Sequence, residues 1–174
     1  LMPDDSPTSL KGKPIGKKDL GLMAMSYGNV YVARVAMGAN PRQTLRAIVE
    51  AEAYDGPALI IAYRHCIAHG IDMEQGLQQQ RLAVACGHWP LIRYNPVIRD
   101  EGGVPFTLDC LRPTLPLSAY RANEGRFQML AQEHPEEAER LLQIAQQVVY
   151  QRWDVYEKMA SRTASEFPPD PRRV

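Results

Sequence analysis

At 174 residues with 45% apolar content, the chain is long enough for one ordinary core with room for a helical appendage. Twenty basic residues offset twenty acidic ones, so no global field draws nucleic acid or an anionic membrane, and no apolar run is long enough to span a bilayer. The N-terminus, Leu1-Met-Pro-Asp-Asp-Ser-Pro, has neither the basic region nor the apolar stretch of a secretory leader, so a soluble cytoplasmic chain is expected.

Residues 1–16, rich in Pro, Ser, Asp, Lys and Gly, read as an irregular lead-in. Asp19 is a possible N-cap for the apolar segment that ends at Gly28. Residues 30–35, Val-Tyr-Val-Ala-Arg-Val, are β-branched and aromatic enough for a strand, with Arg34 expected at its edge or at an interface rather than on an anion. Asn40-Pro41 then starts a helix, with Leu45, Ile48 and Val49 expected inward and Arg42, Arg46 and Glu50 toward water. Gly56-Pro57 ends that helix. The unbroken apolar run over 58–63 reads as a strand covered on both faces. Strand, helix and strand with short links predict a βαβ unit and a parallel sheet.

Asp72-Met-Glu-Gln75 resembles a capping box and opens a helix toward Gly87. Residues 89–94 form a further expected strand, ended by Asn95-Pro96, and 106–108 an apolar segment able to pair with a sheet edge. Two helices follow over 117–134 and 135–162. In the second, Ala138, Leu141, Leu142, Ala145, Val148, Val149, Tyr156 and Met159 keep the spacing of one helical face. Residues 163–174, with Pro168, Pro169 and Pro171, are expected to be a disordered end.

Three cysteines, Cys66, Cys86 and Cys110, are an odd and sparse set that points to reduced thiols. The densest group of potential ligands is His65-Cys66 with His69, followed by Cys86 and His88. It admits a zinc site, a Cys-His nucleophile, or one thiolate given to an iron-sulfur cluster whose other ligands lie elsewhere. An open parallel sheet binds ligands just beyond the carboxyl ends of its strands, which is where Cys66 would stand. The chain has no GxGxxG, no Walker loop and no Gly-Asp-Gly stretch of the kind that holds thiamine diphosphate.

Several ordered motifs carry a resemblance: 17–33, Lys-Lys-Asp-Leu-Gly-Leu-Met-Ala-Met-Ser-Tyr-Gly-Asn-Val-Tyr-Val-Ala; Ala36-Met-Gly-Ala-Asn; Glu50-Ala-Glu-Ala-Tyr-Asp-Gly-Pro; Cys66-Ile-Ala-His-Gly; and Trp89-Pro-Leu-Ile-Arg-Tyr-Asn-Pro. From about Lys13 to Arg162 the chain resembles the C-terminal region of pyruvate:ferredoxin (flavodoxin) oxidoreductase. The resemblance implies a partial thiamine-diphosphate-binding α/β fold over 17–112, with a parallel sheet built on the βαβ unit, and a helical C-terminal segment over 113–162. It implies oxidative decarboxylation of pyruvate on thiamine diphosphate with Mg2+, electron transfer through 4Fe-4S clusters to ferredoxin or flavodoxin, and acetyl-coenzyme A and carbon dioxide as products. Cys66 matches the family's last ligand of the cluster nearest the thiamine. No catalytic residue is expected in this stretch. The family's other cluster cysteines and its thiamine motifs lie upstream of the matched region, so the expected partner is the upstream portion of the same enzyme, in a homodimer. The alternative is a non-catalytic α/β module that serves assembly.

Overall fold

The computed structural model describes residues 18–172; the lead-in expected over 1–16 lies outside the described residues. Helix α1 (Leu20–Met25) is capped by Asp19, whose side chain accepts the Leu22 N–H. Strand β1 (Tyr31–Val35) leads to α2 (Pro41–Ala53), which Asn40 caps by accepting the Gln43 N–H while Pro41 sits in the first turn. Strand β2 (Ala58–Ala62) returns parallel to β1, with Tyr31 opposite Ala58 and Val35 opposite Ala62. The βαβ unit is therefore present as the sequence predicts.

A 3-10 turn (Ile67–His69) and a second one (Met73–Gln75), capped by Asp72, lead into α3 (Gly76–Ala85). Strand β3 (Ile92–Tyr94), α4 (Pro96–Asp100) and β4 (Phe106–Leu108) follow, and then α5 (Leu117–Arg121), α6 (Gly125–Glu133) and the long α7 (Pro135–Ala160). The sheet has the order β2-β1-β3-β4, with β3 antiparallel to both β1 and β4. The purely parallel sheet expected from the sequence is thus corrected to a mixed one. The reason lies in α3, which buries its Ala83 face against Leu117 and Tyr120 of α5 instead of crossing back over the strands. The chain stays at the carboxyl end of β1, where the Trp89 indole donates to the Val35 carbonyl, and β3 has to run the other way.

One face of the sheet presents Val32, Ile92, Tyr94 and Phe106 to Met25, Tyr156 and Met159, so that α1 and α7 cover it. The other face presents Tyr31, Ala33 and Val35 to Ala47 of α2. Two expectations fail here. Strand β2 is not covered on both faces: it is the sheet edge, and each of its five residues is at least partly exposed. Helix α2 also turns the opposite way from its apolar pattern. Leu45 (63% exposed), Ile48 (44%) and Val49 (55%) face out, while Gln43, Thr44 and Ala47 face the sheet. The cause is the polar content of that sheet face, because Arg93 requires Glu50 and Asp109, and Gln43 bridges Asp109 to the Arg34 carbonyl.

The disordered end expected over 163–174 is also corrected within the described residues. Phe167 is buried against Tyr94, with ring centroids 5.9 Å apart, and Arg99 donates to the carbonyls of Gly28 and Pro168. Phe167, the forked donor Arg99, and Arg172, which donates to the Asp55 carbonyl and the Tyr54 hydroxyl, hold the proline-rich strap to the core.

Candidate functional site

The turn after β2 is built by its neighbours. Tyr63 ends the strand run with its N–H on the Val35 carbonyl, and its hydroxyl meets that of Tyr120 at 2.8 Å. Burial pushes the Tyr63 phenol up to about 12. Gly70 closes the turn at φ +71°, and a Cβ there would stand 3.0 Å from the Gly125 Cα, which leaves glycine as the residue that fits. Its carbonyl accepts the Gly125 N–H at 3.2 Å and so ties the turn to the start of α6.

Within this frame Cys66 is a half-buried free thiol immediately before the 3-10 turn, its carbonyl accepting the His69 N–H at 3.0 Å. His65 lies against Gly76, where a Cβ would come within 2.2 Å of its Nε2, and its Nδ1 is 3.2 Å from the Gln80 amide nitrogen. Gln80 is itself held by the Gly38 N–H at 2.8 Å. His65 is therefore a packed, hydrogen-bonded wall of the turn. His88 stacks on Tyr120 at 4.5 Å between centroids. Cys86 is fully buried beside Ala83, and burial pushes its thiol up to about 11; Cys110 receives the Leu91 N–H and is pushed up likewise to about 11. The structure does not bring Cys66, Cys86, His65, His69 and His88 together. Among the described residues no group of three or more His, Cys, Asp or Glu side chains is placed to hold a metal ion. From this chain, Cys66 offers one soft donor and no ligand set.

A charged cluster that the sequence left unassigned lies on the α7 side of the sheet. Arg34 is not at a strand edge but buried on the central strand β1. It donates to the Tyr156 hydroxyl at 2.9 Å, lies 3.7 Å from the Asp19 carboxylate and covers the Trp89 ring at 4.1 Å. Tyr156 in turn donates to Asp19, and burial pushes its phenol up to about 12. Arg152 donates to the carbonyls of Gly87 and His88 at 2.9 and 2.7 Å. Its signal was present in the sequence: 145, 149, 152, 156 and 159 alternate steps of four and three, so a charged residue stands in the apolar stripe of α7.

Comparison with known proteins decides which family this turn belongs to. No protein-family model matches the chain. It is, however, 54% identical over 151 residues to the pyruvate-flavodoxin oxidoreductase of Nostoc sp., covering 87% of this chain and 13% of that protein. The pyruvate:ferredoxin oxidoreductase of Moorella thermoacetica is 50% identical over 149 residues, with 86% and 13% covered. That of Rhodospirillum rubrum, a pyruvate-flavodoxin oxidoreductase, is 49% identical over 153 residues, with 87% and 13% covered. The chain belongs with the pyruvate:ferredoxin (flavodoxin) oxidoreductases, as a segment of that family. It spans 13% of the length of these oxidoreductases. The resemblance drawn from the motifs at 17–33, 36–40, 50–57, 66–70 and 89–96 is borne out. Among the described residues no helix is long and apolar enough to cross a membrane.

Proposed function

We propose that this chain is the C-terminal part of a cytoplasmic, homodimeric oxidoreductase that oxidatively decarboxylates pyruvate to acetyl-coenzyme A and carbon dioxide and passes the electrons to ferredoxin or flavodoxin. Its α/β core would complete a thiamine-diphosphate-binding fold whose diphosphate and Mg2+ site lies upstream. Cys66 would give one thiolate to a 4Fe-4S cluster, and three further ligands would come from the same upstream portion. The cluster, when bound, supplies the one-electron steps that pyruvate oxidation needs.

One observation carries this reading: Cys66 is a half-buried thiol placed where an uncovered apolar strand ends. Softness suits iron-sulfur ligation, and the tied turn fixes the direction from which the thiolate is offered. The wall formed by His65, Gln80 and Gly76 shields one side of the turn. The relatives, pyruvate-flavodoxin and pyruvate:ferredoxin oxidoreductases, supply pyruvate and the two carriers. The exposed Leu45, Ile48 and Val49 support a missing neighbour, since monomers seldom leave such neighbouring apolar side chains uncovered.

The test is anaerobic iron and sulfide analysis with pyruvate-dependent dye reduction, on this chain alone, on the upstream portion alone, and on the two mixed. Iron and activity that require both pieces are expected. In the full-length enzyme, Cys66→Ala should remove the cluster nearest the thiamine while the fold persists by circular dichroism. Full iron content and an unchanged electron-transfer rate in that variant would overturn the assignment of Cys66. Metal-free self-association, with no iron in any mixture, would instead identify an assembly module.

A further inference from the structure

A cavity of about 480 Å³ opens between the start of α1, Ile61 of β2, Trp89 and the middle of α7. Its walls are largely apolar, with Leu20, Val148 and Val155 exposed at its margin. Its charged side chains are Lys18, Arg34, Arg152 and a single carboxylate, Asp19. That carboxylate is already committed. It accepts the Leu22 N–H at 3.1 Å and the Tyr156 hydroxyl, and it faces Arg34 at 3.7 Å.

Arg152 is left with no carboxylate among the described residues. Both of its hydrogen bonds are made by Nη2 to backbone carbonyls, and its Nε is buried with no partner. Arg34 also has a buried Nε without a partner. Neutral dipoles soften the loss of water around a guanidinium but do not neutralise it, so a sequestered arginine is costly until an anion arrives. Burial, with Arg34 as a like charge nearby, draws the Arg152 pKa below its ordinary value against the smaller opposing pull of Asp19.

We propose that this cavity binds a small organic monoanion, a carboxylate on a compact apolar body, with Arg152 as its charge partner and Trp89, Ile61, Val148 and Val155 around its body. With Nη2 held by two carbonyls and Nε buried, Nη1 is the donor left to meet a carboxylate oxygen. The volume falls within the range of small-molecule sites, roughly 300–1,000 Å³. The largely apolar wall selects a carboxylate carried on an apolar body over inorganic phosphate, which has no apolar surface to bury. Cys66 does not line this cavity, so the inference stands apart from the cluster reading.

The test titrates the 174-residue chain with phenylacetate, with its neutral isostere phenylacetamide and with inorganic phosphate, at constant ionic strength, by calorimetry and by the emission of Trp89 in a Trp153→Phe background. Phenylacetate is expected to saturate and to bind at least tenfold more tightly than either comparator. Arg152→Gln should lower its affinity at least tenfold. Val155→Trp, which fills the cavity and leaves both arginines in place, should abolish binding with unchanged circular dichroism. Equal affinity for acid and amide, phosphate competing as well as phenylacetate, or no saturation would each overturn the proposal. Should Arg152→Gln fail to fold, Val155→Trp decides alone, and undiminished binding by it would also overturn the proposal.

Discussion

Arg93, the charged residue of β3, lies beneath α2 between two carboxylates. It holds Asp109 with two hydrogen bonds, Nε to Oδ2 at 2.7 Å and Nη2 to Oδ1 at 2.9 Å, and Glu50 through Nη1. Glu50 also accepts the Tyr31 hydroxyl at 3.0 Å. The Asp109 hydrogen bond, ahead of all other influences, raises the Arg93 pKa, so the guanidinium stays charged at any pH the fold survives. Removing it leaves two mostly buried carboxylates facing each other. Arg93→Ala is expected to cost about 3 kcal/mol in urea denaturation at neutral pH, the lower end for a broken buried pair because Glu50 keeps some contact with water. A loss below about 1 kcal/mol would mean that the carboxylates simply turn to solvent. Cys86 makes a pH prediction. Its thiol is raised from 9.0 to about 11 by burial, so the folded state keeps a proton that the unfolded chain gives up. Stability is therefore intact below about pH 9 and falls between about pH 9 and 11. Cys86→Ala should flatten that alkaline limb by about 2 to 3 kcal/mol, from two units at 1.36 kcal/mol each. Parallel alkaline limbs in variant and parent would refute the role of this thiol.

Among the elements, the strap over 163–172 shows how little sequence is needed to order a polar, proline-rich segment. Phe167 supplies the apolar anchor in the core of Tyr94 and Tyr156, and Arg99 and Arg172 supply polar ones. The strap runs against Gly28, whose φ is +75° and where a Cβ would come within 2.1 Å of the Pro169 carbonyl oxygen. Gly28→Ala is expected to strain the backbone and lift the strap together. Phe167→Ala, which leaves Gly28 alone, should cost about 3 kcal/mol by the usual toll of a buried aromatic. Limited proteolysis checks both, with cleavage within 163–172 in each variant and none in the parent. The same segment shows where sequence patterns reach their limit. The βαβ unit is legible because Asn40-Pro41 and Gly56-Pro57 punctuate it through local backbone chemistry. The α7 stripe is legible because its period is local as well. Strand direction, the inversion of α2 and the anchoring of Phe167 depend on partners far along the chain, such as Asp109 for Gln43 and Tyr94 for Phe167. At the candidate site, the position of Cys66 after β2 is legible from the apolar run, whereas the joining of Arg34, Asp19 and Tyr156 spans more than a hundred residues.

Across the whole molecule, the least satisfied surface is continuous with the turn that carries Cys66. Among the described residues no strand pairs with the outer edge of β2, and the outward face of α2 beside it presents Leu45, Ile48 and Val49. An exposed apolar edge strand is a template for another strand. The pairing of Tyr63 N–H with the Val35 carbonyl fixes which amides point inward. By the two-residue period, those of Ile61 and Leu59 also face β1, and that of Ala62 faces out. Proline at an edge position removes an outward donor without breaking the inner ladder. Ala62→Pro is therefore expected to leave the isolated chain folded and its melting temperature within a few degrees, while weakening association with the upstream portion at least tenfold. In hydrogen exchange, the Ile60 and Ala62 amides of the parent should gain protection when that portion is added, and Leu59 and Ile61 should already be protected. If Ala62→Pro joins the upstream portion as tightly as the parent, the partner does not extend the sheet at β2, and the outward face of α2 becomes the surface to disrupt next, with Leu45→Glu and Ile48→Glu.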